Sequence, residues 1–340
     1  VTPFATFITL TRTESQHTAT PEFVDIPFSV EPNYTGWRLD RYLTAKLRRF
    51  SRSRVQRLIE SCLVAERTLK AATRITPGLR FVLRRRVLEE PPTPTHVPVL
   101  YEDEFMVIVD KPAGLPIHAC ARYQVGTLVA RLRERYGGPG IEPVHRLDRE
   151  TSGVVICART KEASRFFMRS FQSGRVHKEY LAICEGAPLA DELVVDMPLA
   201  VGGALVRIAV RCDPSGRPSR TRFRVVERFA HERQAYTLIR AWPETGRQHQ
   251  IRAHLRHAGL PIVGDKIYGP GEAYYDRFCK HLLTADDWAR LRLARHALHA
   301  HRVSFAHPHT GEHVSFSAPL PDDLRQFIRD GRATPRVPAH

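Results

Sequence analysis

His145-Arg146-Leu147-Asp148-Arg149-Glu150-Thr151-Ser152-Gly153 runs directly into Val154-Val155-Ile156-Cys157-Ala158. The first nine residues combine cations, an aliphatic residue, carboxylates and a hydroxyl–glycine turn; the next five are an apolar run of strand type. A carboxylate on a loop that enters a buried strand is held rigidly and can be shielded from water. Asp148 is therefore the first candidate for chemistry, weighed against an ordinary surface Asp–Arg pair.

Outward from this stretch, short strand signals outnumber helical ones. Strands are expected at Phe105 to Val109, Gly153 to Ala158, Tyr180 to Ile183, Thr221 to Val226 and Ala235 to Ala241, and helices at Thr127 to Tyr136, Lys161 to Phe171 and Gln248 to His257. Regular strand–helix alternation is missing, so residues 97 to 328 read as an α+β domain with a mixed, mostly antiparallel sheet. Before it, Glu89-Glu90-Pro91-Pro92-Thr93-Pro94-Thr95 reads as an extended, semi-rigid linker over residues 89 to 96. Residues 1 to 35 are expected to be a poorly ordered tail with a short strand near Phe23 to Val30, and residues 329 to 340 a frayed end.

Residues 36 to 88 form a separate small unit. Leu39, Leu43 and Leu47 share one helical face, Ser51 or Ser53 caps a second helix, and Val55, Leu58, Ile59 and Cys62 make its buried stripe. Pro77-Gly78 turns the chain toward a strand at Phe81 to Leu83. Arg52, Arg54 and Arg57 fall off the apolar stripe, free to meet phosphates. Of the chain's formal +16, residues 36 to 86 alone carry +12, from 15 Lys/Arg against Asp40, Glu60 and Glu66. Solubility does not require one sign packed into fifty residues; polyanion binding does, so RNA is the expected partner.

The 340 residues, 42% of them hydrophobic, are ample for two domains and too apolar for a disordered chain. No apolar run approaches the ~18–20 residues that span a bilayer, and no secretory signal is expected at the N-terminus. Six scattered cysteines without a Cys-x-x-Cys pair suggest neither a zinc ribbon nor a disulfide framework, which fits a reducing cytoplasm. His249, His254 and His257, and later His296, His299 and His301, are spaced as zinc ligands can be, but no Cys or carboxylate nearby in sequence completes a site. Structural or RNA-contacting roles are expected for them, with no metal and no cofactor.

Further segments accompany the Asp148 loop: Asp110-Lys111-Pro112-Ala113-Gly114-Leu115-Pro116-Ile117-His118, Lys178-Glu179-Tyr180-Leu181-Ala182, Gly246-Arg247-Gln248-His249-Gln250-Ile251-Arg252-Ala253-His254-Leu255, Gly264-Asp265-Lys266-Ile267-Tyr268-Gly269 and Leu298-His299-Ala300. In this order they closely resemble the RluA/RluD-type pseudouridine synthases over about residues 100 to 320, with Asp110 where Asn is usual and Leu260 where His is usual. The basic unit resembles the alpha-L RNA-binding module of a small-subunit ribosomal protein, with Cys62 in place of the usual Gly and Glu66-Arg67 in place of Asn-Gly.

The resemblance implies an enzyme that converts uridine in RNA to its carbon-linked isomer, in large-subunit ribosomal RNA first and transfer RNA second. Asp148 would be the essential group, as nucleophile or as base; Arg252 would hold it ionised, bidentately if its fork allows; Tyr180 would stack on the uracil; and Leu298 would close the other face of the pocket. Arg146 would be a wedge filling the flipped nucleotide's place, or a phosphate contact. His145, Lys178, Arg247 and His249 are the remaining candidate RNA contacts. The expected protein is a cytoplasmic monomer. Its rivals are a non-catalytic RNA-binding protein of the same fold, and a metal-dependent RNA hydrolase, which should carry an acidic cluster that this sequence lacks.

Overall fold

The computed structural model describes residues 23–47, 50–86, 90–120, 123–138 and 140–333. They fall into two compact units, one within residues 1–89 and one within 90–340. The tail readings for 1–22 and 334–340 lie outside the described residues, as does the linker reading at Glu89.

In the first unit, β1 (Phe23–Ser29) pairs antiparallel with β3 (Arg80–Arg86), and β3 pairs with β2 (Leu63–Val64). The helices α1 (Leu39–Lys46) and α2 (Arg52–Cys62) cover them through Leu39, Leu43, Val55 and Ile59, which pack with Phe81 and Leu83. The first strand therefore belongs to this unit and not to a loose tail: Phe28 stacks on Phe81 with ring centroids 5.3 Å apart. Ser51 caps α2 by accepting from the Arg54 N–H. Among the described residues, none between Cys62 and Arg67 has a positive φ, so the turn after α2 needs no glycine. Arg52 is not free as expected. It donates from Nε and Nη2 to Asp40, which Arg38 and Gln56 also bond, because a fully buried carboxylate requires partners on every side.

The second unit contains β4 (Val99–Glu102), β5 (Met106–Lys111), α3 (Leu128–Tyr136), β6 (Glu142–Pro143), β7 (Ser152–Ala158), α4 (Lys161–Gln172), β8 (His177–Glu185), β9 (Glu192–Asp196), β10 (Leu199–Val201) and β11 (Val210–Cys212). It continues with β12 (Arg220–His231), β13 (Gln234–Pro243), α5 (Gln250–His257), α6 (Glu272–Cys279), α7 (Ala285–Leu291), β14 (Leu298–Ala306), β15 (His313–Ser317) and α8 (Asp322–Ala333). The main sheet runs β4-β5-β7-β14-β8-β13-β12-β9, with β15 on β14 and β6 on β7. Only β7 and β14 pair in parallel within it, among the described residues, so the sheet is mixed and mostly antiparallel. The expected strands and helices are present, with ends that coincide or differ by up to five residues.

Two readings change. The Glu90 carboxylate accepts from the N–H groups of Gln124, Val125 and Gly126, and Thr93 lies against Gly126, so this end of the expected linker is docked on the second unit. Three convergent amides make a strong charge-assisted seat for the carboxylate. The C-terminal helix continues to Ala333, because Phe327 and Ile328 bury against the sheet core and Gly331 lets the helix approach Phe229 closely.

Candidate active site

β7 is buried along its whole length, and its entry is built around Gly153. Gly153 takes a φ of 112°, and a Cβ there would overlap the backbone of Ala300 in β14. The hydroxyls beside it are secured by β14 and the residues just before it: Thr151 Oγ1 lies 2.7 Å from His296 Nε2, and Ser152 Oγ 2.9 Å from His299 Nδ1. From the other side, Lys111 Nζ donates to the carbonyls of Pro112, Leu115 and Arg149, and the Arg149 carbonyl also accepts the Gly114 N–H. Lys111 is fully buried, and burial pulls its ammonium down to about 7. The carboxylate loop is thus fixed at Arg149, Thr151 and Ser152, with Asp148 at its tip.

Asp148 Oδ2 accepts from Arg252 Nη1 at 2.9 Å, and 22% of its side chain remains open. Burial, the largest single influence, would raise its pKa; the charge and hydrogen bond of Arg252, together with the fields of His249 and His296, outweigh it and hold the carboxyl at about 2. The pairing differs from the bidentate grip considered above. Arg252 spends its fork on Asp265, with Nε to Oδ2 at 2.6 Å and Nη2 to Oδ1 at 2.9 Å, and gives Asp148 one N–H. Asp265 is wholly buried, and its Oδ1 also accepts the N–H groups of Ile267 and Tyr268. A guanidinium with carboxylates on two sides is locked in place, and its ring-face contact with Tyr268, 5.0 Å to the centroid, closes a third side. Asp265 stood within a recognisable segment, yet nothing in its spacing disclosed this role.

Asp148 and Arg252 line a cavity of about 730 Å³, in the size range of ligand sites. Tyr180 lines it from β8, flanked by Ala241 on β13 and Ala300 on β14, two small neighbours that leave room beside the ring. Burial, then the Asp148 charge, pushes its hydroxyl above the ordinary phenol range. Leu298 and Lys178 line the same cavity; burial lowers the Lys178 ammonium to about 8, and its Nζ makes a long contact, 3.4 Å, to the Thr245 carbonyl. Arg146 lines the cavity and is exposed. Arg247 also lines it and donates from Nε to the Pro218 carbonyl.

His145, an expected RNA contact, lines the cavity and is also tied to the strand behind it. Its Nε2 accepts the Ile156 N–H at 3.0 Å, so the ring anchors the loop to β7 while its body lines the cavity, and burial drops its pKa to about 3. Arg54 lies over the Phe50 ring and Arg57 is exposed, both in the first unit and apart from this cavity's lining.

The glycine turn before α5 is organised by Gln250, whose Oε1 accepts from Thr245 Oγ1 and the Arg247 N–H while Nε2 donates to the Arg220 carbonyl. Sequence reasoning assigned Gln250 no role. His249 caps α5 in the left-handed region, φ 53°, and its Nε2 lies 3.7 Å from Asp148 Oδ1. His254 bridges Thr221 and the Met197 carbonyl. The histidines are not remote from carboxylates in space, since His296 Nδ1 lies 3.6 Å from Glu150. Even so, no group of three or more His, Cys, Asp or Glu among the described residues is placed to hold a metal ion. No helix among them is long and apolar enough to cross a membrane.

Comparison with known proteins gives the family. Residues 105–257 match the RNA pseudouridylate synthase family model. An uncharacterized RNA pseudouridine synthase of Chloroflexus aurantiacus is 37% identical over 317 residues, covering 88% of this chain and 92% of that protein. The ribosomal large subunit pseudouridine synthase D of Nitrosomonas europaea is 35% identical over 320 residues, covering 91% of this chain and 89% of that protein. The solved structure of human RNA pseudouridylate synthase domain containing 1 superposes with a TM-score of 0.54 at 25% identity, covering 73% of this chain and 100% of that one. With the signature segments in order and relatives of this identity along most of its length, the chain belongs to the RluA/RluD-type family of RNA pseudouridine synthases.

Proposed function

We propose that this enzyme isomerises uridine in large-subunit ribosomal RNA, in the cytoplasm, with Asp148 as the catalytic group and no cofactor. The observation that carries the reading is the ionised Asp148 carboxylate held by Arg252 at the wall of a nucleotide-sized cavity, with Tyr180 beside it. The reaction breaks the bond from ribose to nitrogen 1, turns the base, joins carbon 5 to the sugar and removes the carbon 5 proton. Asp148 acts on sugar or base as nucleophile, or takes a sugar proton; both routes use the charged form. Tyr180 stacks on the uracil and Leu298 bounds its other face. Lys178, Arg247 and Arg146 meet the strand around the flipped nucleotide. The name of the Nitrosomonas relative supports ribosomal RNA as the substrate class.

The test is position-resolved mapping of pseudouridine in total RNA, large-subunit and transfer RNA included, from cells lacking the gene, restored with wild type or with Asp148→Asn. Wild type should restore at least one site and the variant none. Restoration by the variant sinks the role of Asp148, and sites appearing only in transfer RNA overturn the substrate class.

A further inference from the structure

His249 has two nitrogens with opposite tasks, and its neighbours decide which one carries the proton. Nδ1 lies 3.0 Å from the Tyr268 hydroxyl. That hydroxyl already accepts the Val210 N–H at 2.8 Å. Tyr268 is buried, and among the described residues its O–H has no other acceptor than His249 Nδ1. A buried hydroxyl proton without an acceptor is costly, so Tyr268 donates to Nδ1, and Nδ1 must be bare. The neutral ring then carries its hydrogen on Nε2, the nitrogen that faces Asp148 Oδ1. The opposite tautomer would set a lone pair against the carboxylate and leave the tyrosine proton unused.

We propose that Val210, Tyr268 and His249 form a relay of hydrogen bonds that locks the Nε2–H tautomer of His249, making His249 the second donor to the catalytic carboxylate. Arg252 holds Oδ2 and His249 faces Oδ1, so together they choose one orientation of the Asp148 side chain. At 3.7 Å the His249 contact is a charge–dipole contact and not yet a hydrogen bond; contacts of this kind tighten when substrate fills the site. A neutral donor serves here where a cation would not, because it orients the carboxylate without adding a second full charge beside it. Burial supports the neutral ring, lowering its pKa to about 4. The left-handed backbone at His249 is part of the device: it aims the ring back toward Tyr268 and Asp148 from the first turn of α5. His249 and Tyr268 are positioning residues, and the inference rests on the reading of Asp148 as the catalytic group.

The experiment uses the full chain labelled with nitrogen-15 histidine, with His249 signals identified by their loss in His249→Gln and by proximity to the Tyr268 ring. At neutral pH the wild type should show a protonated Nε2 and a bare Nδ1. Tyr268→Phe removes only the hydroxyl. It should mix or reverse the tautomer and lower kcat on the order of tenfold, the scale seen when an outer partner of a site is lost, with KM for RNA changed by no more than about twofold. His249→Gln, whose amide N–H reaches toward the Nε2 position, should retain more activity than His249→Leu. A wild-type ring with its proton on Nδ1, or a cation at neutral pH, overturns the proposal. So does a Tyr268→Phe enzyme with unchanged His249 shifts and unchanged kcat. An active Asp148→Asn would instead refute the catalytic reading and leave the nitrogen measurement standing.

Discussion

At the scale of single residues, one guanidinium serves two carboxylates, and it is the strongest influence keeping Asp148 ionised against burial. Without Arg252, the strongest of the groups that oppose burial at Asp148 is gone. Arg252→Gln should therefore move the acid limb of the pH–rate profile upward, measured in single turnover; an acid limb that stays in place would remove the pairing from the mechanism. In the wild type the Asp148 pKa is depressed from 3.8 to about 2, so its contribution to stability is complete above its unfolded value and is lost as pH falls through about 2. Asp265→Asn leaves the guanidinium without its fork. A broken buried pair typically costs about 3–5 kcal/mol of stability, readable by denaturant melts, and kcat should fall with KM little altered. A variant as stable and as fast as wild type would show that Asp148 alone suffices to orient Arg252. Asp148 and Arg252 were legible from the residues and their resemblance. Asp265 was not, because a sequence shows which carboxylates stand near an arginine in the chain but not which one its fork faces in space. The anchoring of His145 was hidden for the same reason: its backbone partner, Ile156, is not a neighbour in sequence.

Among elements, the contact of β7 with β14 explains more of the signature than the chemistry does. Thr151, Ser152 and Gly153 are each matched to a residue on or just before β14: a histidine, a histidine and a bare backbone. Gly153→Ala would press a methyl group into the Ala300 backbone at a φ that suits glycine. The expected loss is about 3 kcal/mol or more, seen as a lowered melting temperature before any kinetic effect is examined. A melt within a degree or so of wild type would mean that the strands part without penalty. The strand types could be read from apolar runs, and the helix over Lys161–Gln172 from its periodicity. The parallel neighbourship of β7 and β14 could not, since local pattern carries no information about a partner some 147 residues away. The docked Glu90 escaped for a similar reason: its amides come from residues 124 to 126.

For the molecule as a whole, charge and chemistry reside in different units. The +12 of residues 36 to 86 predicts that affinity and its salt dependence can be altered without touching turnover. Arg57→Ala, at an exposed position on α2, should reduce the slope of log affinity against log salt by about 0.7–0.9 if one phosphate contact is lost, while kcat at saturating RNA stays unchanged. An unaltered slope would place the phosphate contacts elsewhere in the basic unit.

The distances along the chain between partners set an order of assembly. The sheet of the first unit closes within Phe23 to Arg86, whereas Asp148 meets its cation 104 residues later and Ser152 its histidine 147 residues later. Long loops close late, and domains form from the N-terminus as the chain is made. During synthesis the basic unit is therefore complete while the carboxylate is still without its partners. A growing chain therefore carries its closed basic unit through a stage at which Asp148 still lacks Arg252 and Ser152 still lacks His299.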